Sequence, residues 1–352
     1  LRLYLAAERA GGLSTAAMEK LDVIIIGAGA AGLMCALTAG ARGRRVLLLD
    51  HAEKAGAKIL ISGGGRCNFT NLDSSPECFL SQNPHFAKSA LTRYTQHDFI
   101  ALVERHRIPY HEKTLGQLFC DGSAREIVAL LLAECAAGGV DLRLGVQVGG
   151  VGHDGAGFRV ETSGGTFEAP SLVLATGGPS IPKMGATGFA YGVARQFGLG
   201  LVEPRPALVP LTLGGADLAF AASLSGVSVE AVASAGHGRF RENILFTHRG
   251  LSGPAILQIS SYWRPGGTIE LDLLPDLDAA AHLKARKEAR PKAETRTVLA
   301  EILPARLAQA LAAGLPPRPI GEIAGRELAA LATRLKRWTL APRVPKASPR
   351  PR

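Results

Sequence analysis

Three glycines and one aspartate carry the most specific chemistry in this chain. Gly27, Gly29 and Gly32 are spaced G-x-G-x-x-G, with Ala28, Ala30 and Ala31 between them. The apolar run Val23-Ile-Ile-Ile26 leads into the glycines and an Ala/Leu segment follows. Strand, glycine turn and helix in that order form a dinucleotide-binding fingerprint. The first glycine lets the chain turn off the strand, the second lets backbone approach a pyrophosphate, and the third lets the helix lie close to the sheet. Free N–H groups at the helix N-terminus then receive the phosphates. A second strand, Arg45-Val-Leu-Leu-Leu-Asp50, ends in a carboxylate about 20 residues on, where ribose hydroxyls need an acceptor. Gly150-Val-Gly152-His-Asp-Gly155 has the same spelling but a different context. Two alternating segments follow it around Ser163-Gly-Gly165, which predicts a hairpin and offers phosphate no helix N-terminus.

The elements that must position these residues fit into 352 residues, enough for two domains or for one with an insertion. No apolar run approaches the roughly 18 residues of a membrane span, so no membrane partner is expected. Cys35, Cys67, Cys78, Cys120 and Cys135 are odd in number and lack C-x-x-C spacing. That argues against a zinc site, a disulfide scaffold or a redox-active cysteine pair, and points to a reducing, cytoplasmic home. No metal is expected. The formal net charge is +10, and after Glu327 only basic residues remain, Arg334, Lys336, Arg337, Arg343, Lys346, Arg350 and Arg352. Read as a basic tail on a nearly neutral body, with no aromatic stacking platform beside it, this predicts a small-molecule substrate and no nucleic-acid partner.

Residues 1–20 read as a non-native or disordered extension, because the chain begins at Leu1 and Met18 sits just before the first strand. Residues 84–107 and 123–137 look helical, the second with Asp121 or Ser123 as cap and Glu126 in the first turn. Val140–Val151 and Gly157–Glu168 predict a small β-meander, and Ser171–Ala175 a buried strand running into Thr176-Gly177-Gly178. From Glu203 the texture changes. Pro204, Pro206 and Pro210 precede short strand-like segments to about Asp272, and residues 277–338 read as helices. Within this part, Phe246–Ser260 predicts a loop with Ser252 near an N-cap, Pro254 in the first turn and a helix after it. Residues 341–352 have no periodicity and are expected to be disordered.

A nicotinamide dehydrogenase usually continues βαβαβ after its second strand. The glycine-rich loop, helices and meander found here suit a flavoprotein instead. Five blocks make the likeness specific. They are Asp22–Met34, Lys58-Ile-Leu-Ile-Ser-Gly-Gly-Gly-Arg-Cys-Asn-Phe-Thr-Asn71, Val173–Gly188, Arg205–Leu211 and Leu245-Phe-Thr-His-Arg-Gly-Leu-Ser-Gly-Pro-Ala-Ile-Leu257. In these blocks the chain resembles the BaiN/RdsA family of bacterial NAD(P)/FAD-dependent oxidoreductases, the aminoacetone oxidase-like flavoproteins. The resemblance implies an α/β fold: a Rossmann-like FAD-binding domain, with a parallel sheet and a β-meander, over residues 21–205. An inserted domain over 206–340 would interrupt it, β-barrel-like over 206–275 and helical over 276–340. It also implies two-electron chemistry with FAD, and NAD(P)H as a transient reductant.

Gly27, Ala28, Gly29, Ala30, Ala31, Gly32 and Asp50 are then expected to hold the ADP half of FAD. The resemblance places Lys58, Gly64, Gly65, Arg66, Cys67 and Asn68 near the pyrophosphate and flavin ring, with Thr176 and Gly177 closing over the cofactor. Successive glycine N–H groups make an anion nest there. Catalytic candidates are His248 as acid or base, Arg66 for charge at the phosphate or at the anionic reduced ring, and Asn68 at the ring edge. Tyr191 and Lys183, beside the second glycine loop, are weaker ones. The family's closing segment, with a Gly-Leu-Tyr-Phe-Ala-Gly-Glu stretch and a Gly-Gly-Tyr-Asn loop, has no counterpart in the sequence, and the tail reads as an out-of-frame continuation. The expectation is an FAD-dependent oxidoreductase acting on a small organic molecule. A flavin-binding protein with little turnover and a truncated inactive flavoenzyme are the alternatives.

Overall fold

Parallel strands covered on both faces must be apolar at every position. In the computed structural model, which describes residues 20–181 and 184–343, the two opening strands meet that requirement. β1 (Val23–Ile26) and β2 (Val46–Leu49) are buried throughout and flank α1 (Ala30–Ala41) in sequence. Next come α2 (Ala57–Ile61), β3 (Asn68–Asn71), α3 (Lys88–Arg93), α4 (Gln96–Arg105), β4 (Tyr110–Glu112), β5 (Gln117–Cys120) and α5 (Ala124–Ala137). The first of two compact units, which divide between Val202 and Glu203, then closes with β6 (Asp141–Arg143), β7 (Val148–His153), β8 (Phe158–Thr162), β9 (Gly165–Ala169), β10 (Ser171–Leu174) and α6 (Phe189–Gln196). Expectations for residues 1–19, Lys183 and the tail from residue 344 lie outside the described residues.

Four of these strands form a parallel sheet in the order β10-β1-β2-β6, with Ile26 opposite both Leu49 and Leu174. Successive strand side chains point to opposite faces, so this sheet feeds two cores. Val23, Ile25, Val46 and Leu48 pack with residues of α1 and α5, among them Leu33 and Leu131. Ile24, Ile26, Leu47 and Leu49 pack with Val151 and Val160 of the antiparallel β7-β8-β9 meander and Val193 of α6. The doubly covered α/β fold read from the sequence is the one that forms. Ser123 caps α5 as anticipated: its hydroxyl accepts from the Arg125 N–H at 3.2 Å, and its own N–H donates to Glu126 Oε2 at 2.9 Å.

Two expectations for this unit need correction. The helix predicted over 84–107 is two helices, because Thr95 starts a new one. Its N–H donates to Asp98 Oδ2 at 2.6 Å and its hydroxyl accepts the Asp98 N–H, a capping box that ends one helical segment and begins the next. The meander begins at Val148 rather than Val140, since β6 leaves it to cover the free edge of β2, with Leu48 opposite Leu142.

The second unit contains β11 (Leu211–Thr212), α7 (Gly215–Ser223), β12 (Ser228–Ala235), β13 (Gly238–Thr247), β14 (Gly250–Ser252), α8 (Pro254–Ser260) and β15 (Ile269–Asp272). Four helices follow, α9 (Ala279–Ala289), α10 (Thr295–Leu299), α11 (Ala305–Ala312) and α12 (Gly325–Lys336), and then β16 (Trp338–Leu340). The sheet runs β11-β14-β13-β12-β15-β16, and its neighbouring strands are antiparallel. Phe246, Ile244 and Leu271 share one core with Ile256, Leu307 and Leu331 of the helices. The predicted loop before α8 contains a strand, β14, and the N-cap is Gly253 at φ 91° rather than Ser252, with Pro254 as the first helical residue. β16 is unanticipated. It pairs Trp338 with Leu271 and Leu340 with Ile269, and the indole stacks 6.1 Å from the Phe246 ring. No helix among the described residues is long and apolar enough to cross a membrane.

Burial in the first unit pushes the Cys120 thiol up to about 12 and the Cys135 thiol up to about 11, against an ordinary 9.0. Unfolding frees both thiols to ionise at their ordinary value. Their contribution to stability is therefore intact below that value and is lost as pH rises towards the folded ones. Urea midpoints measured across this range should fall more gently in a Cys120→Ala/Cys135→Ala double variant than in the parent. Parallel declines would show that these thiols do not set the alkaline limit.

Candidate functional site

A cavity of about 660 Å³ opens at the C-terminal ends of β1 and β10. In an open parallel sheet this is where the strand order reverses and where ligands bind. The turn from β1 into α1 forms its floor. Gly27 has φ +109°, and a Cβ there would lie 2.5 Å from the Ala175 carbonyl oxygen. A Cβ on Gly32 would lie 1.7 Å from the Gly27 carbonyl oxygen, so α1 can approach the turn only because that position is bare. Gly29 differs, since a Cβ there would meet nothing within 4 Å. Gly29, Ala30 and Ala31 face open space in the cavity wall. The N-terminus of α1 has no side-chain cap and no acidic residue in its first turn. Its free N–H groups and partial positive charge are left for a ligand anion.

Asp50 sits beside this turn with its carboxylate fixed. Oδ2 accepts the Ala28 N–H at 2.6 Å, Oδ1 accepts the Ala52 N–H at 2.8 Å, and His51 Nδ1 lies 3.4 Å from Oδ1. An ionised carboxylate has about four lone-pair sites, so these bonds orient it and leave capacity for ribose hydroxyls. Across the cavity, Lys58 Nζ donates to Ser180 Oγ at 2.9 Å and to the Gly178 carbonyl at 3.4 Å, tying α2 to the loop beyond β10. Thr176 and Gly177 line the same cavity. An uncapped helix N-terminus, an oriented carboxylate and a walled slot together suit FAD.

The structure thus gathers Gly27 through Ala31, Asp50, Lys58, Thr176 and Gly177 around one cavity, with Gly32 packed beneath the turn. Gly64, Gly65, Arg66, Cys67 and Asn68 form a separate turn that does not line it. There Gly63, Gly64 and Gly65 all have positive φ, and Cys67 shares the left-handed conformation at φ 53°. Cys67 is buried and its thiol is raised by desolvation. Arg66 is exposed. The Asn68 amide, oriented to suit its neighbours, donates to the carbonyls of Thr70 at 3.0 Å and Leu118 at 3.2 Å. Tyr191 lies against Gly178, where an added Cβ would come 3.0 Å from its hydroxyl. His248 belongs to the second unit, exposed in the two-residue link between β13 and β14, and is not among the lining residues. Sequence reasoning missed His51 and Lys54, which line the cavity just after Asp50. Their position directly after Asp50, just beyond the end of β2, was the available signal. The decoy glycines Gly150, Gly152 and Gly155 fall in the β7–β8 hairpin, as their flanks predicted. Among the described residues, no three metal-ligating side chains come together.

The sequence matches the HI0933-like protein Rossmann domain over residues 21–239 and the HI0933-like protein barrel and H2TH domain over residues 205–346. It is 51% identical to the ribosomal RNA dihydrouridine synthase of Escherichia coli K12, over 92% of this chain and 82% of that one. The ribosomal RNA dihydrouridine synthase of Haemophilus influenzae is 46% identical over 81% of this chain and 72% of its own. The 3-dehydro-bile acid delta(4,6)-reductase of Clostridium scindens is 30% identical over 80% of this chain and 72% of its own.

The first two relatives overturn the expectation that nucleic acid is no partner. The excess positive charge does not sit in a tail. Residues 279–343 hold thirteen Lys and Arg against five Asp and Glu, whereas residues 1–278 hold 24 against 25. Arg334 and Lys336 lie in α12 and Arg337 joins it to β16, so they belong to folded elements rather than to a tail.

The three glycines predict a contrast. Gly29→Ala should leave apo stability within about 0.5 kcal/mol of the parent while weakening FAD binding tenfold or more, about 1.4 kcal/mol. Gly32→Ala should destabilise the apo protein itself by roughly 1–3 kcal/mol or more. Denaturant unfolding of the apo forms and titration with FAD would check both. Unchanged FAD affinity in Gly29→Ala would exclude this turn as the phosphate cradle.

Proposed function

The chain belongs to the HI0933-like family of FAD-dependent oxidoreductases, and we propose that it saturates a uridine ring of ribosomal RNA to dihydrouridine. The observation that carries this reading is the likeness to the two ribosomal RNA dihydrouridine synthases, over 92% and 81% of this chain, beside the dinucleotide cradle that this chain presents. The chemistry is consistent across the relatives. The ring of uridine has a C5=C6 double bond conjugated with the C4 carbonyl, and the name of the bile-acid relative describes reduction of double bonds in a 3-dehydro compound. Both are electron-poor alkenes that accept hydride at the carbon remote from the carbonyl. The balanced reaction is uridine plus NAD(P)H plus a proton, giving dihydrouridine plus NAD(P)⁺.

FAD, when bound, supplies the two-electron carrier for this transfer. The protein's share is to hold and orient. The α1 N-terminus with Gly29 receives the pyrophosphate, Asp50 takes the ribose hydroxyls, and Lys58 fixes the loop bearing Gly177 and Gly178 over the cofactor. Only one of the two glycine fingerprints has a helix behind it, so NAD(P)H docks transiently rather than in a dinucleotide domain of its own. Work on ribosomal RNA is cytoplasmic work, in keeping with five cysteines that suit a reducing compartment. The bile-acid relative favours a second reading, reduction of a small conjugated ketone at the same site.

Purified, FAD-loaded protein should convert deproteinised ribosomal RNA from a host lacking the gene, given NADH or NADPH. The product would be read by mass spectrometry of the digested nucleosides as a uridine heavier by two hydrogens. RNA left unchanged by protein that reduces a steroid enone would overturn the RNA reading in favour of the small-molecule one.

A further inference from the structure

We propose that the helical part of the second unit, α9 to α12, docks the phosphodiester backbone of ribosomal RNA, an inference that rests on RNA being the substrate. The chain's positive charge is not spread over its surface. Residues 1–278 are electrically balanced to within one charge, while residues 279–343 carry a net +8. Phosphate neutralisation by Lys and Arg supplies most sequence-independent affinity for nucleic acid, and such contacts position a substrate without reading its sequence. A reductase that must present one base among many needs such a positioning surface.

The fold gathers part of this charge at one end of the helical region. Gly321 N–H donates to the Pro291 carbonyl at 2.9 Å, Ile320 N–H to the Ala293 carbonyl at 2.8 Å, and Glu294 bridges Pro319. This clasp joins the segment after α9 to the segment before α12. It brings Arg290, Lys292 and Arg296 near Arg318, whose guanidinium meets Glu327 at 3.1 Å, next in sequence to Arg326 in the first turn of α12. Glu301, Glu294 and Glu327 pair with Arg290, Arg296 and Arg318 and hold those side chains in place. Lys284, Lys292 and Arg326 are exposed and, among the described residues, have no carboxylate in ion-pair range. Two uncompensated cations, Lys292 and Arg326, beside three braced arginines make a surface for a polyanion, and Lys284 adds a third uncompensated cation on α9. The phosphates of RNA suit it chemically, because arginine forks and lysine ammonium groups both take phosphate.

The test uses the full FAD-loaded chain with Lys284→Glu, Lys292→Glu and Arg326→Glu combined. None of these changes breaks an ion pair, so the thermal midpoint should match the parent and certify the fold. Binding to deproteinised ribosomal RNA is measured across a salt series. The slope of log affinity against log salt should fall by about 2 to 3 units, at roughly 0.7–0.9 for each phosphate no longer neutralised, with at least a tenfold loss of affinity at low salt. A control with Arg42, Lys88 and Arg125, exposed cations of the first unit, changed to Glu should keep the slope. Equal losses in both variants, or none in the first, would overturn the docking surface. So would parent protein that binds polyglutamate as tightly as RNA at the same salt. Failure of the substrate reading looks different: the parent would bind RNA with the predicted slope and form no dihydrouridine.

Discussion

The contact between Gly32 and the Gly27 carbonyl is the constraint on which the rest of the first unit depends. A single methyl group at residue 32 would overlap that oxygen. Its absence lets α1 leave the sheet at close range, and every later property follows from this approach. Leu33 and Ala36 reach the sheet core. The first N–H groups of the helix point into the space beyond β1 rather than into protein, and the Ala28 N–H falls within reach of Asp50. One steric condition therefore sets the packing of a layer, the direction of a dipole and the orientation of a carboxylate. The glycine at residue 29 is under no such constraint, because a side chain there would meet nothing of the protein within 4 Å.

A sheet with both faces buried also explains why this site tolerates so little freedom. The odd and even residues of β1 and β2 belong to different cores, so a shift of one residue in register would exchange the two sets. The ends of β1 and β10 are held at fixed height by Ile26 lying opposite Leu174. The cavity wall inherits that rigidity from packing outside the site, which is how binding groups are kept in place without ligand.

Much of this was legible in the sequence where local chemistry decides structure. The β-branched run before Gly27 and the Ser123–Glu126 capping pair each act through near neighbours, and both formed as read. The false fingerprint at Gly150 was rejected on its flanks for the same reason. What escaped needed information from elsewhere in the chain. Nothing local says that Asp141–Arg143 will cover the edge of β2, or that Trp338–Leu340 will extend β15. Thr95 and Asp98 did spell a cap, but a continuous helical pattern on either side masked it. Among the residues singled out, the cavity collects those at the ends of β1, β2 and β10 with Lys58, while Arg66 and Asn68 of the same sequence block as Lys58 lie outside its lining. The charge was misread for a related reason. Adding up residues after the last acid ignores that helices and strands, not sequence position, decide where side chains sit.

The strand order has a consequence for how the molecule is made. β1 emerges early in the first unit, yet its partner β10 emerges near that unit's end, and the Gly27 turn rests on Ala175 just beyond β10. A nascent chain released as far as β9 would own the glycine fingerprint and Asp50 without the opposing wall. Domains fold as units during synthesis, and pairings far apart in sequence are slow to form. The cofactor site is thus closed by one of the last segments of the unit to appear, and a bound flavin would mark a first unit whose translation has run through to that closing strand.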